Sequence, residues 1–327
     1  MTYLGTLCLV LLTTAFAGSI SRRVGMPAVI GQLLVGIVLG PAMLGWVTSN
    51  NFVHIFSEIG VVILMFMAGL ESDLDLLKKY LKPATSVALF GVIAPIILVY
   101  LLGRIYNFTN EEAIFLGVTF AATSVSISVE VLKELKKLDT KEGTTILGAA
   151  VIDDILAVLI LSVLVSIFSD VAQAEGGHTQ SNLGVGILIQ VIYFIGIYLV
   201  FRWIAPLLMK ISEKLPISSS EILMSLVICL GMAFFADLVG LSAVVGSFFA
   251  GVAVAQTPYK QEIDSSIEPI GYAVFIPMFF VSIGLNMTFK GLLTNWLFIV
   301  ILLVLALLTK WGGCGLGAKM LGMSWHS

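Results

Sequence analysis

The sequence predicts an all-α membrane protein of about 11 transmembrane helices, built as an inverted repeat. Three observations lead there. First, the 327 residues are 59% hydrophobic and only 11% charged, far too apolar for a soluble domain of this size. Second, apolar stretches of about 20 residues recur along the chain, each long enough to cross roughly 30 Å of hydrocarbon. They are continuously apolar rather than alternating, which excludes a β-barrel. Third, the basic residues collect in every second connection.

Taken in order, spans are expected at 3–20, 28–44, 52–70, 83–102, 112–135, 144–169, 183–204, 219–238, 241–255, 267–284 and 292–320. The first resembles a signal peptide at Ala15-Phe16-Ala17, but no basic segment precedes it and Arg22-Arg23 follow, so it is read as retained. With the N-terminus outside, the inner connections hold Arg22, Arg23, Lys78, Lys79, Lys82, Lys133, Lys136, Lys137, Lys141, Lys210, Lys214, Lys260 and Lys319, with Arg202 at an inner span end. That is 14 of the 17 basic residues, a strong positive-inside bias. Arg104 and Lys290 fall outside, and Lys310 lies deep in the last span. The expected location is a cell membrane, multi-pass.

The net charge of −3 and the lack of a basic tail give no sign of a nucleic-acid partner. Cys8, Cys229 and Cys314 each sit in an apolar run without ligand or pairing spacing. His178 and His326 fall outside the spans and His54 at the margin of the third, scattered along the chain. No cofactor or resident metal is expected.

Two segments share one frame. Val29-Ile30-Gly31-Gln32-Leu33-Leu34-Val35-Gly36 matches Val244-Val245-Gly246-Ser247-Phe248-Phe249-Ala250-Gly251, and Met67-Ala68-Gly69-Leu70 matches Ser282-Ile283-Gly284-Leu285. The spans carrying them run in opposite directions, and inverted repeats are the architecture of alternating-access secondary transporters. The same register pairs span 4 with span 11. It would pair spans 5 and 6 with a twelfth and thirteenth, so the chain is expected to stop two helices short of the full repeat.

Asp153 and Asp154 stand roughly 14 Å or more from either end of the sixth span. Ionisable groups at that depth cost several kcal/mol unless they face a wet cavity or a partner, so they mark function. Adjacent helical residues point about 100° apart, which gives the two carboxylates different surroundings. Lys310 is the natural partner for one of them. In the fifth span, Thr123, Ser124, Ser126 and Ser128 suggest a broken helix whose carbonyls and hydroxyls suit a small hard cation. Gly312, Gly313, Gly315 and Gly317 are expected to let a neighbouring helix approach Lys310. Glu58, Glu71, Glu130 and Asp237 lie towards span ends and are assigned to the wet margins.

These residues together resemble the monovalent cation:proton antiporter family, in particular its Nap-type sodium/proton members. The carriers are Gly31–Pro41, Phe66–Glu71, Ala122-Thr123-Ser124, Ile152-Asp153-Asp154, Asp237–Gly251, Phe279–Leu285 and Lys310. The resemblance implies that Asp154 binds the transported Na⁺ and exchanges it for protons. It implies that Asp153 pairs with Lys310, and that Thr123 and Ser124 line the break. It further implies a homodimer. Residues 1–82 and 219–285 would form panel helices, 83–170 core helices with the break and the Asp pair, 183–211 a linker helix, and 292–327 the first core helix of the second repeat.

The expected function is therefore exchange of cytoplasmic Na⁺ (or Li⁺) for external H⁺ by alternating access, electrogenic if two protons move per cation. K⁺/H⁺ exchange within the same family is the alternative, and a truncated non-transporting fragment is the third reading. An enzyme is not expected. An intramembrane aspartyl protease needs two facing carboxylates sharing a proton, which consecutive residues on one helix do not provide.

Overall fold

A computed structural model of the chain describes residues 3–72, 74–167, 183–216, 219–289 and 295–323. Among the described residues all regular structure is helical. The helices are α1 (Tyr3–Arg23), α2 (Ala28–Leu39), α3 (Asn51–Glu71), α4 (Leu74–Lys79), α5 (Leu81–Ile105), α6 (Asn110–Ala121), α7 (Val125–Glu134), α8 (Lys141–Ile167), α9 (Leu183–Leu199), α10 (Ala205–Ser212), α11 (Ser220–Leu238), α12 (Ala243–Ala255), α13 (Lys260–Ile270), α14 (Ile276–Leu285) and α15 (Trp296–Met320). By length and composition, 8 helical segments among the described residues can cross a membrane, counting Asn110–Glu134, Val191–Ser212 and Lys260–Leu285 as single segments. The shorter apolar helices α2 and α12 accompany them. The expected loop 170–182 lies outside the described residues.

Local chemistry sets the boundaries. The Asn50 side chain accepts from Val53 N at 3.0 Å and caps α3. A reciprocal capping box between Thr109 and Glu112 starts α6. π-helical turns at Val200–Ile204 and Gly271–Phe275 each come just before a proline, Pro206 and Pro277. Proline lacks an N–H and crowds the carbonyl four residues back, and the wider turn relieves both defects.

The repeat is visible in the geometry. One shift of 215 positions carries Gly31 onto Gly246, Gly36 onto Gly251, Gly69 onto Gly284, and the bounds of α5 (81 and 105) onto those of α15 (296 and 320). The shift also carries Gly25 onto Gly240, with φ of 80° and 75°. Each of these glycines closes a helix in the left-handed conformation that ends many helices. Met26 N bonds Ser21 O at 2.9 Å, as Leu241 N bonds Ala236 O at 2.9 Å.

The shared glycines then cross. A Cβ on Gly36 would strike the Val281 carbonyl and one on Gly284 the Leu33 carbonyl. In the other half, a Cβ on Gly251 would strike the Phe66 carbonyl and one on Gly69 the Phe248 carbonyl. α2 is thus seated backbone to backbone on α14, and α3 on α12, which only glycine allows at these points.

The helices fall into two packed groups. In the first, α2 lies on α14, α3 on α12 and α14, and α1 and α11 flank them; in the second, α5 gathers α6, α8 and α15. Phe66, Phe248, Phe280, Met65, Met67 and Ile276 form the fully buried centre of the first group. Val125, Val129 and Leu132 of α7 and Ala150 and Val151 of α8 extend into the main hydrophobic cluster that includes much of this centre, so α7 and α8 carry the apolar contact between the groups.

Candidate ion-binding site

The fifth expected span is broken where the hydroxyl-rich stretch suggested. α6 ends at Ala121, residues 122–124 are extended, and α7 resumes at Val125. The break frees carbonyls that a continuous helix would satisfy internally. Ser124 closes one end of the gap: its Oγ accepts from Ile127 N at 3.4 Å and caps α7. Its side chain is therefore engaged in capping, and it is exposed. Thr123 is half-buried, with Oγ1 3.5 Å from the Ala121 carbonyl.

α8 carries both aspartates in different surroundings, and it is Asp153 that reaches the break, through Lys310. Asp153 is 4% exposed and Asp154 half-buried. Lys310 Nζ lies 3.3 Å from Asp153 Oδ2 and also donates to the carbonyl oxygen of Ala121. A single ammonium thus neutralises a buried carboxylate and fills one of the orphan acceptors at the C-terminal end of α6, where the helix dipole favours positive charge. Asp153 Oδ1 is buried and has no hydrogen-bond partner. Among the described residues Asp154 forms no ion pair. The structure therefore joins Asp153, Lys310 and the break, and leaves the second carboxylate uncommitted on a different face of α8.

Lys310 reaches this depth because α15 comes very close to α5. Missing Cβ atoms at Gly313 and Gly317 leave room for the Phe90 and Ser86 carbonyls, while Gly312 faces open space. Ser86 Oγ donates to the Gly317 carbonyl at 2.9 Å. Gly91 of α5 makes space for Cys314 on α15: a Cβ there would come within 2.8 Å of its Sγ, and 4.0 Å from Lys310 Nζ.

Sequence reasoning overlooked a second polar cluster and assigned two of its members, Glu71 and Glu130, to the wet margins. Glu130 is 4% exposed, and Tyr272 Oη donates to its Oε2 at 3.1 Å. Lys133 pairs with Glu71 at 2.7 Å. Glu134 accepts from Ala28 N at 2.8 Å and from Arg22 Nε at 3.1 Å. The available signal was the spacing of Glu130, Lys133 and Glu134 at i, i+3 and i+4, which sets them on one helical face.

An inverted repeat of membrane helices, with a broken helix beside a buried carboxylate–ammonium pair, defines a membrane transporter of the inverted-repeat class. Residues 9–327 match the family described as "Sodium/hydrogen exchanger, transmembrane", and the chain belongs to that family. It is 54% identical over 329 residues to a Na(+)/H(+) antiporter of Enterococcus hirae, covering 100% of this chain and 84% of the relative. It is 44% identical over 316 residues to the Na(+)/H(+)-K(+) antiporter GerN of Bacillus cereus, covering 97% and 80%. The fold is similar to that of the sodium proton antiporter MjNhaP1 of Methanocaldococcus jannaschii, with a TM-score of 0.65 at 16% identity, covering 99% of this chain and 80% of that one.

Proposed function

We propose that the chain exchanges Na⁺ for H⁺ across the cell membrane by alternating access, with Asp154 as the group for which cation and proton compete. The observation that carries this reading is the division of labour in the aspartate pair. Asp153 has a fixed ammonium partner, whereas Asp154 is half-buried and forms no ion pair among the described residues. A carboxylate whose countercharge is not supplied by the protein takes it from the medium, as a cation or as a proton, and one site cannot hold both. Thr123 and the extended backbone at 122–124 supply hard oxygens at the break, to which Lys310 joins the neighbouring Asp153. Lys310, bonded to both Asp153 and the end of α6, ties the charge state of the pair to the position of the break.

In this reading the basic connections face the cytoplasm and the N-terminus faces outward. α1–α3 with α11–α14 form a fixed panel through which two copies dimerise, and α5–α8 with α15 form the moving part. Two protons per cation would carry one net charge inward, driven by about 2.3 kcal/mol per 100 mV. Cation-dependent proton flux in proteoliposomes tests the proposal. Asp154→Asn removes the competing charge without changing shape and is expected to abolish the flux; wild-type flux in that variant would rule out the site. K⁺ is a second candidate substrate, because the 44%-identical Bacillus cereus relative is described as a Na(+)/H(+)-K(+) antiporter. A Li⁺, Na⁺, K⁺ series in the same vesicles decides between them.

A further inference from the structure

One face of α7 is fastened to the first helix group by three separate polar contacts. Glu130 accepts from Tyr272 of the second π turn at 3.1 Å. Lys133 pairs with Glu71 at the end of α3 at 2.7 Å and lies 5.3 Å from the centre of the Tyr272 ring. Glu134 takes the backbone N–H of Ala28 at the start of α2, at 2.8 Å and 3.1 Å from its two oxygens, and the Arg22 guanidinium. The centre of the cluster is shielded from water: the Lys133 side chain is 7% exposed and that of Glu71 26%. Asp264 and Glu268 of α13 lie within electrostatic reach of Glu71, and Lys133 stands between Glu71 and Glu130 as the cation of the cluster.

These contacts differ in kind from the rest of the boundary between the two groups. The contacts of Val125, Val129, Leu132, Ala150 and Val151 are apolar, and apolar surfaces can slide past one another with little change in energy. Desolvated ion pairs and directional hydrogen bonds cannot slide; they are either made or broken. α7 is also the continuation of the broken helix at residues 122–124, so whatever holds α7 also sets where the break stands.

We propose that Glu71, Lys133, Glu130 and Tyr272 are positioning residues for the exchange reaction. They form a polar closure at the basic end of the molecule, made in this conformation and broken once in each transport cycle. Lys133 is its centre, because without that cation the surrounding carboxylates repel and the two groups separate at this end. This inference rests on the transport reading above.

The test uses the whole chain in proteoliposomes, in a background with its three cysteines replaced by serine, which supplies the reference rate. Glu71→Cys with Lys133→Cys is treated with a short, reducible bis-thiol cross-linker. Cation-dependent proton flux is expected to fall about tenfold or more and to return on reduction. Ser57→Cys with Ser282→Cys is the matched control. Those hydroxyls are 2.6 Å apart between α3 and α14, inside the first group, and linking them is expected to leave the rate within about twofold. Flux that survives complete cross-linking of residues 71 and 133 overturns the proposal. If that pair is inactive even when reduced, Tyr272→Phe in the native background decides. It keeps the ring, loses the bond to Glu130, and is expected to change the maximal rate about threefold or more with little effect on half-saturation by cation. An unchanged maximal rate overturns the proposal. Absence of flux from the unmodified chain would be a different result, sinking the transport reading and this inference with it.

Discussion

Replacing Lys310 with methionine keeps the length of the side chain and removes its charge. Two buried groups then lose their partner. Asp153, at 4% exposure, is left as an uncompensated carboxylate, and the Ala121 carbonyl loses its donor. Removing one member of a buried ion pair costs about 3–5 kcal/mol. The Lys310 side chain is 24% exposed, which places the loss near the lower end, about 3 kcal/mol. At about 2.1 cal/mol/K per residue, unfolding this chain carries an entropy near 0.7 kcal/mol/K, so the midpoint should drop by roughly 4 °C. The assay is thermal unfolding of purified protein in detergent. Asp153→Asn is the second arm and Asp153→Asn with Lys310→Met the third. If the buried pair is the cause, the double variant should recover more than half of the loss, because exchanging both charges for neutral groups removes the unpaired charge. Additive losses in the double variant, or a Lys310→Met protein as stable as the parent, would refute the reasoning.

The glycine crossings predict that Gly36→Val and Gly251→Val, which occupy equivalent places, both drive a side chain into a neighbouring backbone carbonyl. Both should lose the monodisperse peak on size exclusion, at about 3 kcal/mol or more each, while Gly312→Val, facing open space, should not. Gly91→Ala should crowd Cys314, lowering the unfolding midpoint by a few degrees, and Cys314→Ala on the same chain should restore most of it. In proteoliposomes, Asp154→Asn should lose cation-dependent flux yet keep a parental unfolding midpoint, since no ion pair is broken; a large drop in the midpoint would show that Asp154 supports the structure instead.

The helices and the break were legible in the sequence because both depend on short stretches of chain. Whether a segment crosses lipid is set by transfer energies summed over about 20 neighbouring residues. A run such as Thr123-Ser124-Val125-Ser126 likewise offers its own caps to an interrupted helix. The repeat was legible because the same close approach is needed twice, and only glycine permits it. The sequence suggested four glycines beside Lys310; the structure puts Gly313 and Gly317 against α5 and turns Gly312 away.

What the sequence determined by itself was therefore the class of molecule, its apolar helical character and the residues too costly to bury without a purpose. Pairing was legible only in part: the lone deep cation pointed to Lys310 as a partner for one aspartate, and the resemblance named Asp153, 157 positions away, but nothing pointed from Glu130 to Tyr272, 142 positions away. Such partners depend on how helices are placed against one another, which hydropathy does not encode. Glu130, near the end of its span, reads as a residue in reach of water. Only the tertiary structure shows that this end of α7 is pressed against α3 and the turn carrying Tyr272, where water is excluded and the charge must find its partner within the protein.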